Sequence, residues 1–222
     1  ILGEQTIKPD QYAYDFSFPK SEGHPNPHLW PNPIYALRYA EIARDTLVRR
    51  DPRNADYYKG NYDKFKARIE ALDEAIKTTI NSIPENNRKL LTYHDSFAYF
   101  ARRYGMTVIG AIQPSDFSEP SAKDVADLIT QIKQETVPAV FGSEGFLSPV
   151  LEQIARDSGT FLVDDAAQCL GATKDGRPSG TFGDAGFYSL GRGKGITTMG
   201  GSILITRRDD LASRIAREVR TP

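Results

Sequence analysis

The sequence predicts an α/β fold, in which a parallel sheet lobe flanked by helices is preceded by a long helix of the kind that joins two lobes. After Pro84, short apolar runs alternate with amphipathic segments, as successive strand and helix units require. From about Arg53 to Ser82, apolar residues recur every three or four positions, which predicts one continuous helix. At 1.5 Å per residue, this helix would be about 45 Å long.

Length and composition indicate a globular protein of one large or two small domains. The 222 residues are 39% hydrophobic and 26% charged, which excludes disordered and collagen-like classes. A formal net charge of -1 provides no basic field, so we predict neither nucleic acid nor anionic lipid as a partner. No apolar run in the sequence approaches the roughly 20 residues of a membrane span. The chain begins at Ile1 without an initiator Met, and we interpret it as a fragment of a longer product.

The first 33 residues are rich in Pro, Gly, Asn and aromatics, and the run from Gly23 to Pro33 predicts a stiffened loop. The run from Gly23 to Pro33 is too rich in proline for a helix interior or a central strand. Prolines on both sides of His28 restrict the backbone, which lowers the entropy lost when the imidazole is fixed on a metal. The alternative is a surface loop with an incidental histidine. A helix from Ile34 to Arg50 follows.

Downstream of Pro84, the predicted elements alternate. Strands are predicted at 89–93, 106–112, 138–141, 161–163, 185–190 and 202–206, and helices at 94–104, 121–135, 147–158 and 209–220. Parallel sheets bind ligands at the carboxyl ends of their strands, where Asp164 and Asp165 lie. Because neighbouring strand residues point to opposite faces, these two carboxylates cannot easily serve one ligand.

Several motifs resemble one family of binding proteins. They are Asn26–Trp30 (NPHLW), the long helix, Tyr93–Phe100 (YHDSFAYF), Phe141–Glu144 (FGSE) and Phe161–Asp164 (FLVD). With them, residues 1 to about 164 resemble the ZnuA-like and TroA-like proteins, which bind zinc and manganese for ABC importers. The resemblance implies a Zn²⁺ or Mn²⁺ receptor outside the cytoplasm, periplasmic or otherwise extracytoplasmic, that works with an ABC importer permease.

The resemblance also implies a ligand set of His28, His94 and Asp164. Two neutral imidazoles and a carboxylate at the ends of elements can bind a divalent transition ion. His94 is predicted to open a helix directly after a strand, and its alternative role is a hydrogen bond to Asp95 or to the backbone. Glu144 is a reserve ligand or a structural cap. The family's first lobe, which contributes a further ligand, is largely missing, so we expect an open site.

A second set of motifs begins near Thr160. Val163–Gln168 (VDDAAQ), Gly183–Gly186 (GDAG), Ser189, Lys194 and Gly200–Gly201 resemble in their order the DegT-like sugar aminotransferases, a fold-type I family that uses pyridoxal 5′-phosphate. The resemblance implies a Schiff base on Lys194, a pyridine-nitrogen partner in Asp165, a ring contact from Gln168 and a phosphate contact from Ser189. This alternative would place the protein in the cytoplasm.

The two resemblances meet within 154–165, and together they predict a mosaic. Its segments are a first-lobe remnant with the histidine loop (1–52), a connecting helix (53–83), a metal-receptor lobe (84–164) and an aminotransferase-like segment (165–222). The first resemblance covers more of the chain, so metal binding ranks above transamination and an enzyme is the less favoured class. A folded module with neither activity is the third interpretation. Because the upstream phosphate-binding segment and the ring-stacking aromatic are missing, the sequence predicts no transamination.

Overall fold

The structure is a computed structural model that describes residues 2–15, 17–113, 120–142, 149–191, 194–198 and 201–219. It contains two compact units. Unit 1 comprises Ile1–Lys89 and Asp95–Val108, and unit 2 comprises Leu90–His94 and Ile109–Pro222. The segment boundary predicted near residues 164–165 lies inside unit 2.

Unit 1 is built mainly from helices. These are α1 (Leu2–Thr6), α2 (Pro33–Arg50), α3 (Ala55–Ser82) and α4 (Ala98–Tyr104). Single 3-10 turns lie at Pro9–Gln11, Lys20–Glu22, Pro52–Asn54 and Glu85–Asn87. Asn32 caps α2, because its Oδ1 accepts the N–H of Ile34 at 3.0 Å. The predicted long helix is confirmed, since α3 runs without a break for 28 residues, about 42 Å.

The buried face of α3 differs from the predicted apolar stripe. Phe65 lies on that stripe but is 38% exposed, whereas Asp73 is buried. Asp73 accepts hydrogen bonds from Arg103 Nε at 2.6 Å and from the Tyr104 hydroxyl at 2.7 Å. These bonds, above all that from Arg103, hold the pKa of Asp73 well below its ordinary value. An ion pair between the buried Asp73 carboxylate and the partly exposed Arg103 therefore links α3 to α4.

Unit 2 is organised on a six-stranded sheet. Its strands are β1 (Lys89–His94), β2 (Thr107–Gln113), β3 (Ala139–Gly142), β4 (Phe161–Asp165), β7 (Ala185–Ser189) and β8 (Ser202–Thr206), and a separate hairpin contains β5 (Thr173–Lys174) and β6 (Arg177–Pro178). The sheet order is β2-β1-β3-β4-β7-β8. Strands β1, β3, β4 and β7 run parallel, and β8 is antiparallel to β7. The predicted α/β class with a mostly parallel sheet is confirmed.

Helices α5 (Ala122–Glu135), α6 (Pro149–Ser158) and α7 (Asp209–Val219) complete unit 2. Apolar side chains from the sheet and from α5 and α6 form its core: Leu91, Ile112, Val125, Ile132, Val137, Val140, Leu151, Ile154, Ala155 and Leu162. The sheet continues from β4 into β7, where Asp165 pairs with Phe187. The strands that hold the candidate ligands are thus fixed by a continuous ladder and an apolar core.

Candidate functional site

His28 is held in a defined ring orientation in unit 1. The Oδ1 atom of Asn26 accepts the backbone N–H of His28 at 3.0 Å and lies 2.9 Å from the ring Nδ1. Because an amide oxygen only accepts hydrogen bonds, Nδ1 carries the ring proton and Nε2 keeps the lone pair that a metal requires. The ring also packs edge-on against Trp30, with 5.1 Å between the ring centroids. The hydrogen bond therefore places the ring proton on Nδ1 and the lone pair on Nε2.

Asn26 is the buried centre of this arrangement. It is 0% exposed, and its Nδ2 donates to Asp15 Oδ2 at 3.0 Å and to the carbonyl oxygen of Asp95 at 3.3 Å. The sequence identifies Asn26 only as part of the NPHLW motif, and no pattern in it identifies Asp15. The available signal was the spacing, because an Asn two residues before His28 is typical of a turn closed by the Asn side chain.

Asp95 follows His94 in the sequence and is buried in unit 1. Burial raises the pKa of Asp95 to about 7, and the negative charge of Asp15 acts in the same direction. The Asp95 carboxyl therefore stays protonated well above the ordinary range of an aspartate. The Asn26 amide donates its hydrogen bond to the backbone carbonyl oxygen of Asp95, and not to the carboxyl group.

His94 is the last residue of β1 and is half-buried. The prediction that His94 opens a helix is wrong, because β1 continues through it and α4 begins only at Ala98. The Thr92 hydroxyl donates to the carbonyl oxygen of His94 at 2.8 Å where the chain leaves the strand. His94 thus lies at the carboxyl end of a parallel strand, where sheets of this class bind ligands.

The two aspartates at the end of β4 have different surroundings. Asp164 is 3% exposed, and its Oδ2 accepts the N–H of Phe182 at 3.1 Å. Burial raises the pKa of Asp164, and the backbone hydrogen bonds from Phe182 and Gly180 oppose this effect. Asp165 is half-buried, and its Oδ1 accepts the N–H of Ala167 at 3.0 Å.

Strand register places His94 and Asp165 at one level of the sheet. Thr92 of β1 pairs with Phe141 of β3, and Phe141 pairs with Val163 of β4. Thr92 and Val163 therefore lie at the same level of the sheet. His94 and Asp165 each follow by two residues, and a step of two returns a strand to the same face. Two strand spacings separate the pair, about 10 Å between backbones. Asp165 is therefore better placed than Asp164 to share a ligand with His94.

Within the ranges that the structure describes, no three His, Cys, Asp or Glu side chains form a group able to hold a metal ion. His28 belongs to unit 1, and His94 and Asp164 belong to unit 2. The reserve ligand Glu144 lies outside the described residues. The ligand set of His28, His94 and Asp164 stays a prediction.

None of the described helices has the length and apolar character needed to cross a membrane.

The residues suggested as contacts of pyridoxal phosphate all lie in unit 2. Asp165 and Ser189 end the adjacent strands β4 and β7. Gln168 is exposed in a turn, and Lys194 is half-buried in the segment between β7 and β8, where its N–H donates to the carbonyl of Gly191 at 3.3 Å. The structure brings the first two to one edge of the sheet and leaves the other two in connecting segments.

Comparison with known families gives this site a context. The family described as "Zinc-uptake complex component A periplasmic", ZnuA, matches residues 4–179. The chain therefore belongs to this family, which is a metal-uptake component rather than an enzyme family.

Individual relatives are similar at modest identity. The manganese-binding lipoprotein MntA of Bacillus subtilis is 30% identical over 172 residues, which cover 74% of this chain and 55% of MntA. The high-affinity zinc uptake system protein ZnuA of Bacillus subtilis is 29% identical over 134 residues, covering 60% of this chain and 41% of the relative. The iron-binding protein YfeA of Yersinia pestis is 29% identical over 137 residues, which cover 62% of this chain and 44% of YfeA. The chain thus spans about half the length of these relatives.

Two solved structures of metal-binding proteins are also similar to this chain. A crystal structure of ZnuA is 29% identical with a TM-score of 0.61, and the match covers 71% of this chain and 58% of that one. The periplasmic zinc-binding protein TroA of Treponema pallidum is 25% identical with a TM-score of 0.63, and the match covers 71% of this chain and 55% of TroA. The family match passes through the join predicted at 154–165 and ends at residue 179. These comparisons give no support to the aminotransferase resemblance or to a mosaic.

Proposed function

We propose that this chain binds a divalent transition ion, Zn²⁺ or Mn²⁺, as part of the solute-binding protein of an ABC importer. The family match supports the class, and the named relatives include zinc-binding and manganese-binding proteins. The observation that carries the proposal is the hydrogen bond between Asn26 and His28, which reserves the Nε2 lone pair for a ligand.

The proposed ligands are His28, His94 and one carboxylate from the pair Asp164 and Asp165. The family motif implies Asp164, whereas the strand register favours Asp165, because it shares a level and a face with His94. Asp164 already accepts a backbone hydrogen bond from Phe182, which gives it a structural role. Two imidazoles and a carboxylate suit either metal, with Zn–N distances of about 2.0–2.1 Å.

The family description also suggests where the protein works and with what. The family is described as periplasmic, and MntA is named a lipoprotein. We infer an extracytoplasmic location for this chain and an ABC importer permease as the partner that receives the metal. In this proposal the metal ion is the cargo that the importer carries.

Calorimetric titration with Zn²⁺ and Mn²⁺ tests the proposal. His28→Ala and His94→Ala should each weaken binding by more than the roughly 100-fold that losing an outer-shell partner can cost. His24→Ala is the matched control, because His24 lies in the same loop and outside the proposed set. Asp165→Asn should weaken binding, while Asp164→Asn should mainly lower stability. Unchanged affinity in both His28→Ala and His94→Ala would exclude the ligand assignment.

A further inference from the structure

We propose that the outer edge of β8 pairs with the same edge of a second copy of this chain, which gives a symmetric dimer. The sheet order places β8 at one end, so within the described residues no strand lies on its outer side. A free strand edge offers N–H and C=O groups to another chain, and natural proteins usually protect it with charged residues, proline or a bulge. The strand Ser202–Thr206 (SILIT) contains no charged residue and no proline, and its register with β7 is continuous.

The two end strands of the sheet differ in the apolar side chains that they expose. In β8, Ile203 is 40% exposed and Leu204 is 47% exposed, and neighbouring strand residues point to opposite faces. In β2, at the opposite end, Val108 and Ile109 are partly buried and Ile112 is buried. The β8 end therefore exposes apolar side chains on both faces, as expected of a surface that another chain covers.

The ladder to β7 determines which backbone groups of β8 are available. One pair beyond the end of this ladder, Leu190 donates its N–H to the carbonyl oxygen of Gly201 at 2.9 Å. Hydrogen-bonded and non-hydrogen-bonded pairs alternate along an antiparallel ladder, so Ile203 and Ile205 direct their backbone groups toward β7. The residues that direct their N–H and C=O groups to the outer edge are therefore Ser202, Leu204 and Thr206.

A contact on the other side of β7 supports this assignment. Phe187 of β7 pairs in register with Leu204, but its carbonyl oxygen accepts the N–H of Ala166, which follows β4, at 3.0 Å. Because the N–H and C=O of one strand residue point to the same side, the backbone groups of Phe187 point toward β4 and away from β8. Phe187 and Leu204 are thus a non-hydrogen-bonded pair, and the backbone groups of Leu204 point outward.

The sequence of β8 is nearly the same in both directions, which favours a second copy as the partner. In an antiparallel pair centred on Leu204, Leu204 lies opposite the partner's Leu204. Ile203 then lies opposite the partner's Ile205, and Ser202 lies opposite the partner's Thr206. Apolar side chains therefore meet apolar ones and hydroxyls meet hydroxyls, and both kinds of cross-strand pair stabilise a sheet. The three outward-facing residues of each copy form three hydrogen-bonded pairs, and each pair exchanges two hydrogen bonds.

The same arrangement closes the assembly without bringing like charges together. Arg207 is the first charged residue after the strand, and it lies opposite the partner's Gly201, which has no side chain. A twofold axis uses the β8 edge of both copies, so pairing stops at the dimer. The two six-stranded sheets become one continuous sheet.

Sedimentation velocity of the purified chain over a range of concentrations is the first test. The wild type should convert from monomer to dimer as the concentration rises. Leu204→Lys places two like charges directly opposite each other, so this variant should stay monomeric at every concentration. Ile196→Lys is the matched control, because Ile196 is 61% exposed in the segment before β8, and it should dimerise as the wild type does. Circular dichroism checks that both variants are folded.

Disulfide cross-linking tests the register and does not depend on the lysine variants. In a Cys169→Ser background, which removes the natural thiol, Leu204→Cys should form a covalent dimer on mild oxidation. A hydrogen-bonded antiparallel pair has its Cα atoms about 5.5 Å apart, within the range of a disulfide. Ile203→Cys should not cross-link to itself, because it lies opposite the partner's Ile205, although its exposure is similar to that of Leu204.

Three results would overturn the proposal. The first is a wild-type chain that stays monomeric at every concentration, and the second is a dimer that persists in folded Leu204→Lys. The third is cross-linking of Ile203→Cys as readily as Leu204→Cys, because a pair centred on Leu204 excludes it. Dimerisation that Leu204→Lys abolishes, together with cross-linking confined to Leu204→Cys, is the result that the proposal predicts.

Discussion

The buried polar side chains of unit 1 and the apolar core of unit 2 are stabilised by different interactions. Asn26, Asp73 and Asp95 are each less than 5% exposed in unit 1, whereas Leu91 and Leu151 belong to the apolar core of unit 2. A buried polar group needs a specific partner, but an apolar side chain needs only volume and shape. The two units should therefore respond differently to substitutions that conserve size.

The same difference applies to the proposed ligands. The ring of His28 donates a hydrogen bond to the Asn26 side chain, which in turn donates one to Asp15. His94 and Asp165 depend on the backbone register of β1, β3 and β4. We therefore expect isosteric changes to alter His28, and only changes that disturb the sheet to alter the other two.

The largest effect should come from removing the buried carboxylate of unit 1. Asp73→Ala removes the charge-assisted hydrogen bond from Arg103 and leaves the buried Tyr104 hydroxyl without its acceptor, which together should cost about 3–5 kcal/mol of unfolding free energy. Glu74→Ala is the control, because Glu74 is exposed and its ion pair with Lys77, which also contacts Asp73, lies at the surface. Denaturant unfolding followed by the fluorescence of Trp30, the single tryptophan, reports on unit 1.

Leu151 provides the corresponding test in unit 2. It is 0% exposed in the core, so Leu151→Ala should cost about 2–5 kcal/mol, while Leu151→Met should cost less than about 1.5 kcal/mol. In unit 1, by contrast, even the isosteric Asp73→Asn should be strongly destabilising. Hydrogen exchange of amides in β3 and β4 measures the effect locally. A large loss in Leu151→Met would contradict the contrast between the units.

A smaller effect is expected from acid. The folded-state pKa of Asp73 is lowered by its hydrogen bond from Arg103, so the stabilisation is present above the unfolded value near 3.8. It is lost as the pH falls from there toward the lower folded-state pKa. Unfolding free energy from Trp30 fluorescence should therefore fall below about pH 4 in the wild type and less steeply in Asp73→Asn. Equal slopes would show that Asp73 is not the responsible group.

The smallest effect should come from Lys194. We predict that the chain does not transaminate, because the aromatic and phosphate donors that would hold the cofactor are missing from the matched motifs. Lys194→Ala should change stability by less than about 0.5 kcal/mol and leave Zn²⁺ affinity unchanged. Saturable aldimine absorbance that disappears in this variant, together with amino transfer to a keto sugar, would contradict the prediction.

Elements with a clear periodicity could be predicted from the sequence. The spacing of apolar residues predicts the long helix, and α3 begins within two residues of the predicted start at Arg53. Alternating short runs predict the strands of unit 2, because strands buried in a parallel sheet are continuously apolar. The exception was His94, which local pattern assigned to a helix although the ladder extends β1 through it.

The polar contacts could not be predicted in this way. Asp15 and Asn26 meet across eleven residues of a proline-rich segment, and no period relates them. The sequence showed that Asp164 and Asp165 point to opposite faces, but only the register of three strands relates Asp165 to His94. The choice between Asp164 and Asp165 therefore depends on the pairing of strands that are distant in the sequence.

X-ray absorption of the Zn²⁺-loaded chain counts the imidazoles bound to the metal, and so measures the proposed coordination of His28 and His94. We expect two imidazole nitrogens at about 2.0–2.1 Å in the wild type and in His24→Ala. One imidazole should remain in His28→Ala and one in His94→Ala. An unchanged imidazole count in either of the last two variants would contradict the proposed metal centre.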